Sequence, residues 1–386
     1  MYTRAEYLSI ATVTGTVVGA GIFGLPFMAA QSGFWIVAGY VVALGAIITV
    51  MHLLYGEIVL RTRDHHFLPG YAAKYLGPWG KRLALTFILP GLVGTMLAYS
   101  VVSGQFLAIL LGGLWSIDAF TYGFIFNIIG VLLVLGRIRL IADFELGVLV
   151  LLLLTVVGIT LGAMPFFEVS QLSQIAASPW IWLLPYGVVL YAVSGFESIP
   201  EVREIFEATP DGHRSSYVKA ILTGTLIPAF IYVIFTAAVL GVTGSQTTEE
   251  ALRGLAQSQV AQVMVKLAAL FGILATISAY VIMADNLRKI FWYDLGFSKH
   301  FSWWFVVGLA LVIYWFNRES FVSIIGIIGA VAGGLGGAMT VVIHRRSQRL
   351  GNRRPEYKIA LPLALASLLI VIFVFGAGYQ LWSLFS

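Results

Sequence analysis

"VTGTVVGAGIFGLPFMAAQSG", Val13–Gly33, places glycines at 15, 19, 21 and 24 and a proline at 26 inside the first long apolar stretch of the chain. An ordinary spanning helix favours Leu or Ala at such positions, because Gly costs about 1 kcal/mol and Pro about 3 kcal/mol against Ala in a helix interior. In hydrocarbon the cost is larger, since each backbone N–H or C=O freed by a break costs several kcal/mol unless something pairs with it. Breaks survive there when the exposed backbone lines a cavity or holds a ligand. The stretch therefore predicts a helix interrupted for a purpose.

The rest of the chain supplies the setting. Its 386 residues are 59% hydrophobic and 11% charged, with mean hydropathy +0.93. Soluble domains carry roughly 25% charged residues, so a water-facing surface cannot be built from this composition. Apolar runs extend along the whole length, which predicts an all-α polytopic membrane protein. The opening "MYTRAEYLS" leads into an apolar segment without an A-x-A pattern, unlike a cleaved signal peptide. With no cysteine, disulfides, thiolate metal sites and a cysteine nucleophile are excluded.

At about 20 apolar residues per crossing, the sequence predicts eleven spans, near 6–30, 33–60, 83–113, 118–136, 143–165, 180–208, 217–241, 258–287, 303–316, 320–343 and 359–384. Of the 23 Lys and Arg, only Arg253 and Arg318 then lie in outer loops, and Lys266 lies inside a span. The remainder, Arg137 and Arg139 among them, gather on the side of the N-terminus. The positive-inside rule sets that side in the cytoplasm and the C-terminus outside, in a cell (inner or plasma) membrane. The net charge of +5 is thus a topology signal rather than a nucleic-acid surface.

A second interruption matches the first. "GFESIP", Gly195–Pro200, lies 174 residues after "GIFGLP", Gly21–Pro26, with the same terminal residues. The same shift carries the third span onto the eighth and brings the fourth and fifth near the ninth and tenth. Five spans per copy is an odd number, so the second copy enters from the opposite side, the pattern of an inverted repeat. The expected organisation is 1–165 as the first five-helix unit, 180–343 as the second, and 359–384 as an additional eleventh helix. Paired breaks near mid-membrane offer free amides for a carboxylate and free carbonyls for a cation or an ammonium group, which suits a zwitterion. Gly329, Gly333 and Gly337, spaced by four, read as a helix-packing face.

Ionisable groups inside the membrane are few and informative. Glu197 sits within the second break and is the proton-coupling candidate; a static carboxylate bonded to the unwound backbone is the alternative. His52, in the inner half of the second span, either titrates or is a packed, hydrogen-bonded residue. Glu57 and Glu145 read as structural partners of Arg or of backbone, and Lys266 as a snorkelling side chain. Arg4 and Asp285, with Asp294 nearby, form a candidate inner gate. Glu201, Glu204 and Glu207 read as a solvated face beside Arg203 and Arg214.

Other function classes leave too little trace. The sequence has no H-E-x-x-H and no G-x-x-x-x-G-K-[ST], and His52 has no ligand-spaced partner, so an intramembrane metalloenzyme and an ATP-driven pump are disfavoured. An amino acid exchanger or a non-transporting sensor of the same fold stays open. No cofactor is expected beyond a possible Na+ or H+ as coupling ion. The partners expected are the bilayer and a small neutral amino acid, because the sixth span offers no second charge for a charged side chain.

"GTVVGAGIFGLP" resembles the first-helix signature of the amino acid/polyamine/organocation transporter superfamily, and "YAVSGFESIPEV" is similar to its sixth helix. "YGEIVLRT" with "LPGYAAKYLG", between Tyr55 and Gly77, and "LAYSVVSGQFL", Leu97–Leu107, resemble the branch of the aromatic and hydroxy amino acid permeases and the amino acid/auxin permeases. The resemblance implies a LeuT-like fold, with a 5+5 inverted repeat, and coupled transport by alternating access. It places the substrate carboxylate on the amides of Gly19, Ala20, Gly21 and Ile22. It places the amino group near Val193, Ser194 and Gly195, with Phe196 as a lid and Tyr99 as a wall. A sodium site would use Gly15, Val18, Ala275 and Ser278. The family often adds a hydroxyl after that serine, where this chain has Ala279; Thr276 would point elsewhere.

Overall fold

The structure, a computed structural model, describes residues 3–134, 141–176, 178–208, 214–258 and 260–383. Arg137 and Arg139 lie outside the described residues, as do the side chains of Glu145, Arg214 and Asp294. The fold is all-α; among the described residues the strand-type pairing is one isolated bridge, Gly33 with Ile175.

The first span is broken where its glycines cluster. A capping box of Thr3 and Glu6 starts α1 (Arg4–Val17), and the chain resumes as α2 (Gly21–Ser32) with its axis bent by 49°. After it come α3 (Phe34–Arg61), α4 (Leu68–Leu111), α5 (Ala119–Leu133) and α6 (Ile141–Ala163). The short α7 (Val169–Leu172) leads to the second broken span, α8 (Pro185–Val193) and α9 (Ser198–Ala208). Then follow α10 (Arg214–Thr243), the short α11 (Leu252–Ala256), α12 (Gln262–Lys289), α13 (Lys299–Phe316), α14 (Phe321–Ile328), α15 (Gly334–Leu350) and α16 (Leu363–Ser383). All eleven expected segments are helical and in order. Nine reach membrane length and apolarity when α1 and α2 count as one, while α5 and the described part of α6 are shorter. Phe230, Trp304, Phe316 and Phe375 stand exposed on these helices, as lipid-facing side chains do.

Three boundaries move from expectation. The helix expected at 83 begins at Leu68, turning at Gly77, whose φ of 77° suits glycine. A π-helical turn, Ile290–Asp294, extends α12; a second, Gly329–Gly333, joins α14 to α15 inside the tenth span. The tenth span also runs on to Leu350, because arginine is a good helix former once the helix enters water.

One face of the bundle carries the N-terminus and is fastened by charge. Arg203, at the end of the second broken span, donates to the carbonyls of Val59, Thr62 and Arg63 at 2.7–3.0 Å and pairs with Glu207. It therefore caps the C-terminal end of α3, where cations are favoured. Only 4% of Arg203 is exposed, whereas Glu204 and Glu207 beside it are exposed, as expected of a solvated face, and face His65, with Glu201 half-buried. The connection from α15 to α16 straps the same end. Arg353 donates to the Leu60 carbonyl, Tyr357 to Leu53, and the Ile359 amide to Glu57 at 2.7 Å. Glu57 also accepts from Arg61 and pairs with His344 at 2.9 Å, the structural role expected of it.

Candidate functional site

The two breaks lie against each other. At the first, the Val18 amide still reaches the Thr14 carbonyl and Gly19 bonds back to Val17, but no side chain caps α2. At the second, Ser194 closes α8 through its amide and hydroxyl on Leu190, and Ser198 opens α9 by donating to the Gly195 carbonyl. A methyl on Gly21 would lie 2.7 Å from the Ala192 Cα, and one on Gly195 would lie 2.5 Å from Val17. Each matched glycine thus admits the backbone of the opposite break. The glycines bring the two breaks into contact. Tyr232 of α10 joins them, its hydroxyl 2.7 Å from the Val17 carbonyl and 2.9 Å from that of Ala192. The Val17 carbonyl also accepts from the Gly19 amide, so the single phenolic proton is shared between that carbonyl and the one of Ala192.

Beside this junction is a cavity of about 170 Å³, room for on the order of ten waters. Gly19, Gly21, Tyr99, Ser194, Phe196 and Glu197 line it. Tyr99 sits over the first break, where a methyl on Gly19 would be 3.1 Å from its hydroxyl. Ala20, Ile22 and Val193 are buried in the core, and Gly195 is covered by Val17 and His52. None of these four is among the residues that line the cavity.

The cavity runs from the breaks to Phe67–Pro69 and Ile290, on the face that carries the N-terminus. On the other side it is sealed by backbone against backbone. A methyl on Gly187 would strike the Gly326 carbonyl, one on Gly329 the Gly187 carbonyl, and one on Gly24 would come within 2.9 Å of Ile325. Gly329 and Gly333 therefore do more than the expected packing: with Ala332 and Gly336 they also form a wall of the cavity, while Gly337 packs on Phe373. The π-helical turn separates these facings, and nothing in a spacing of four reveals it. Sequence reasoning also missed Tyr55, Thr95, Tyr191 and Asn286, which line the cavity from α3, α4, α8 and α12. The Tyr191 hydroxyl is buried beside those of Tyr99 and Thr95.

The remaining candidates fare differently. Arg4 and Asp285 do not meet in this conformation: Arg4 is exposed, and Asp285 pairs with Arg288 and Lys289 of its own helix. Three- and four-residue spacing on a helix brings those cations to it locally. Around Gly15 an added methyl would meet nothing within 4 Å, and Val18 and Ala275 are buried with Ser278 half-buried. Thr276 does point elsewhere, to Ser103 at 2.7 Å. Lys266 is exposed. No group of three His, Cys, Asp or Glu able to hold a metal ion occurs among the described residues.

A discontinuous pair of helices around a cavity with uncapped backbone is transport architecture, and the comparison with known proteins agrees. No curated protein matches the chain. The model of the tryptophan/tyrosine permease family, one of the APC-like transporters, matches residues 4–382. The chain therefore belongs to the tryptophan/tyrosine permease family.

Proposed function

We propose that the protein carries an aromatic amino acid across the cell membrane by alternating access, in symport with protons, with its N-terminus in the cytoplasm. The observation that carries the reading is the cavity at the junction of the two breaks. Its amides and carbonyls suit the zwitterion. Its lining combines glycines (Gly91, Gly329, Gly333 and Gly336) with rings (Tyr55, Phe87, Tyr99 and Phe196), a composition that suits an aromatic side chain. The tryptophan/tyrosine permease family model supports that substrate class. Glu197, on the cavity wall, is the proton carrier, and Ala279 is the reason sodium is not used. With the cavity reaching the N-terminal face and the other side sealed, the conformation is the inward-facing one.

Two five-helix units, 1–165 and 180–343, account for the motion. Buried hydrogen bonds join His52 to Thr225 and Ser103 to Thr276, and both pairs are 173 residues apart. In an inverted repeat related by a pseudo-two-fold axis, residues beside that axis meet their own counterparts. The contact of α1 with α9 and of α2 with α8 has the same reciprocity.

The test is uptake of labelled tryptophan, tyrosine and alanine into proteoliposomes under separate proton and sodium gradients. Proton-driven accumulation of the aromatic substrates, lost in Glu197→Gln, is expected. Sodium-driven accumulation, or a preference for alanine, overturns the reading.

A further inference from the structure

His52 is completely buried in α3, and one of its two nitrogens is accounted for. Nδ1 lies 2.9 Å from the Thr225 hydroxyl. That hydroxyl donates its one proton to the Ile221 carbonyl at 2.8 Å, so toward His52 it only accepts. With the hydroxyl directed to Ile221, Nδ1 carries the hydrogen and Nε2 is a bare lone pair. Nε2 is buried and has no partner. A hydrocarbon of the same shape would pack there without that penalty, and an orphaned buried acceptor calls for an explanation.

The surroundings of the ring supply one. Phe196 lies edge-on against it, with centroids 5.2 Å apart, and also lines the cavity. The Gly195 backbone passes over the same ring, so close that an added methyl would be 3.6 Å from His52 Cε1. The bare nitrogen is thus separated from the cavity by the lid residue of the second break, and any motion of that break moves its cover. Of the titratable groups, Glu197 adjoins Phe196 in the break and Tyr55 lies one turn along α3. From α10, Tyr217 and Tyr232 flank Thr225 at about two turns on either side, and α1 brings Val17 to Gly195.

We propose that His52 Nε2 is a second proton-binding site of the transport cycle, covered by Phe196 in this conformation and opened to cavity water when the break in the second broken span rearranges. The step is a simple proton transfer. The Nε2 lone pair takes H+ from a hydrated proton, the ring becomes an imidazolium that still donates from Nδ1 to Thr225, and the proton returns to water before Phe196 closes again. The inference rests on the proton-coupled reading above.

The experiment compares the wild-type protein in liposomes with His52→Asn, which keeps a donor toward Thr225, and His52→Gln, which sets an amide near the Nε2 position. Labelled tryptophan is followed in two modes: accumulation under a pH gradient, and counterflow without net proton movement. One coupled proton sustains roughly tenfold accumulation per pH unit of gradient, and both variants are expected to lose that accumulation far more than counterflow. Accumulation in both variants equal to wild type overturns the site. If the variants lose counterflow as well, hydrogen–deuterium exchange at His52 Cε1 in the wild-type protein decides. Exchange that titrates between roughly pH 5 and 8 and quickens with tryptophan supports the site, and flat exchange overturns it. A wild-type protein indifferent to the pH gradient fails the proton-coupled reading itself. A proton-driven wild type with equally driven variants fails His52 alone.

Discussion

The two ends of the bundle are held together by opposite means. Away from the N-terminus, α8 meets α14 backbone to backbone at Gly187 and Gly326, with Gln380 beside them, and α2 sets Gly24 against the apolar side chains of Ile325, Val188 and Phe321, with no charged side chain among these contacts. On the N-terminal face, the end of α3 is held by Arg203, Arg353 and the Glu57–His344 pair. A glycine seal is intolerant of any added atom yet forms and parts without breaking a charge pair. A charged fastening is directional and costly to strip of a partner, since breaking a buried pair costs about 3–5 kcal/mol. Under the proposed alternating access, the glycine side is the one that parts and the α3 end stays assembled.

Substitutions can break this contrast. The largest effect is expected for Gly187→Val, where the side chain meets the Gly326 carbonyl and overpacking costs about 1–3 kcal/mol or more. Uptake should be abolished, and uptake near wild type would show that the seal is looser than its contacts imply. Arg203→Gln follows. It leaves the Val59, Thr62 and Arg63 carbonyls and Glu207 without their partner, and thermal stability in detergent should fall by about 3 kcal/mol. An unchanged melting temperature would remove the fastening from the account.

Tyr232→Phe sharpens the comparison at the junction of the breaks. It strips one hydroxyl from the Val17 and Ala192 carbonyls, a loss of about 1–3 kcal/mol. Tryptophan affinity and stability should fall together, and affinity falling alone would place the phenol on the ligand rather than on the backbone. Arg4→Ala should do least. Arg4 is exposed and Asp285 is already paired, so uptake should stay within about twofold, as for surface sites generally. A large loss would restore the inner gate in another conformation. Because the chain has no cysteine, single cysteines at Leu68 and Phe321 can report on the two sides directly. Reactivity at Leu68 and protection at Phe321 are expected in this conformation.

Much of this was legible in the residues. Gly and Pro inside apolar runs mark both breaks because their backbone cost is local, and the basic residues mark the spans because hydropathy is additive. Which side chains line the cavity is a different matter. Thr95, Asn286 and Tyr55 reach it by virtue of helix crossings and of the π-helical turns, neither of which has a period in the sequence. The capping role of Arg203 was not legible because its glutamate neighbours do form a solvated helix face, while the carbonyls it caps lie about 140 residues earlier. The strap through Tyr357 was missed for the same reason: nothing near it in the chain names its partner.

The two π-helical turns, Ile290–Asp294 and Gly329–Gly333, both border the cavity. Each holds one residue more per turn than an α-helix needs, with looser hydrogen bonding. Such a turn is slack stored in a rod. Passing that residue along the helix advances the segment beyond it by about 1.5 Å and swings its face, while the ends stay anchored. The cavity walls can therefore be reset like a ratchet tooth, in discrete steps, without bending the helices that carry them.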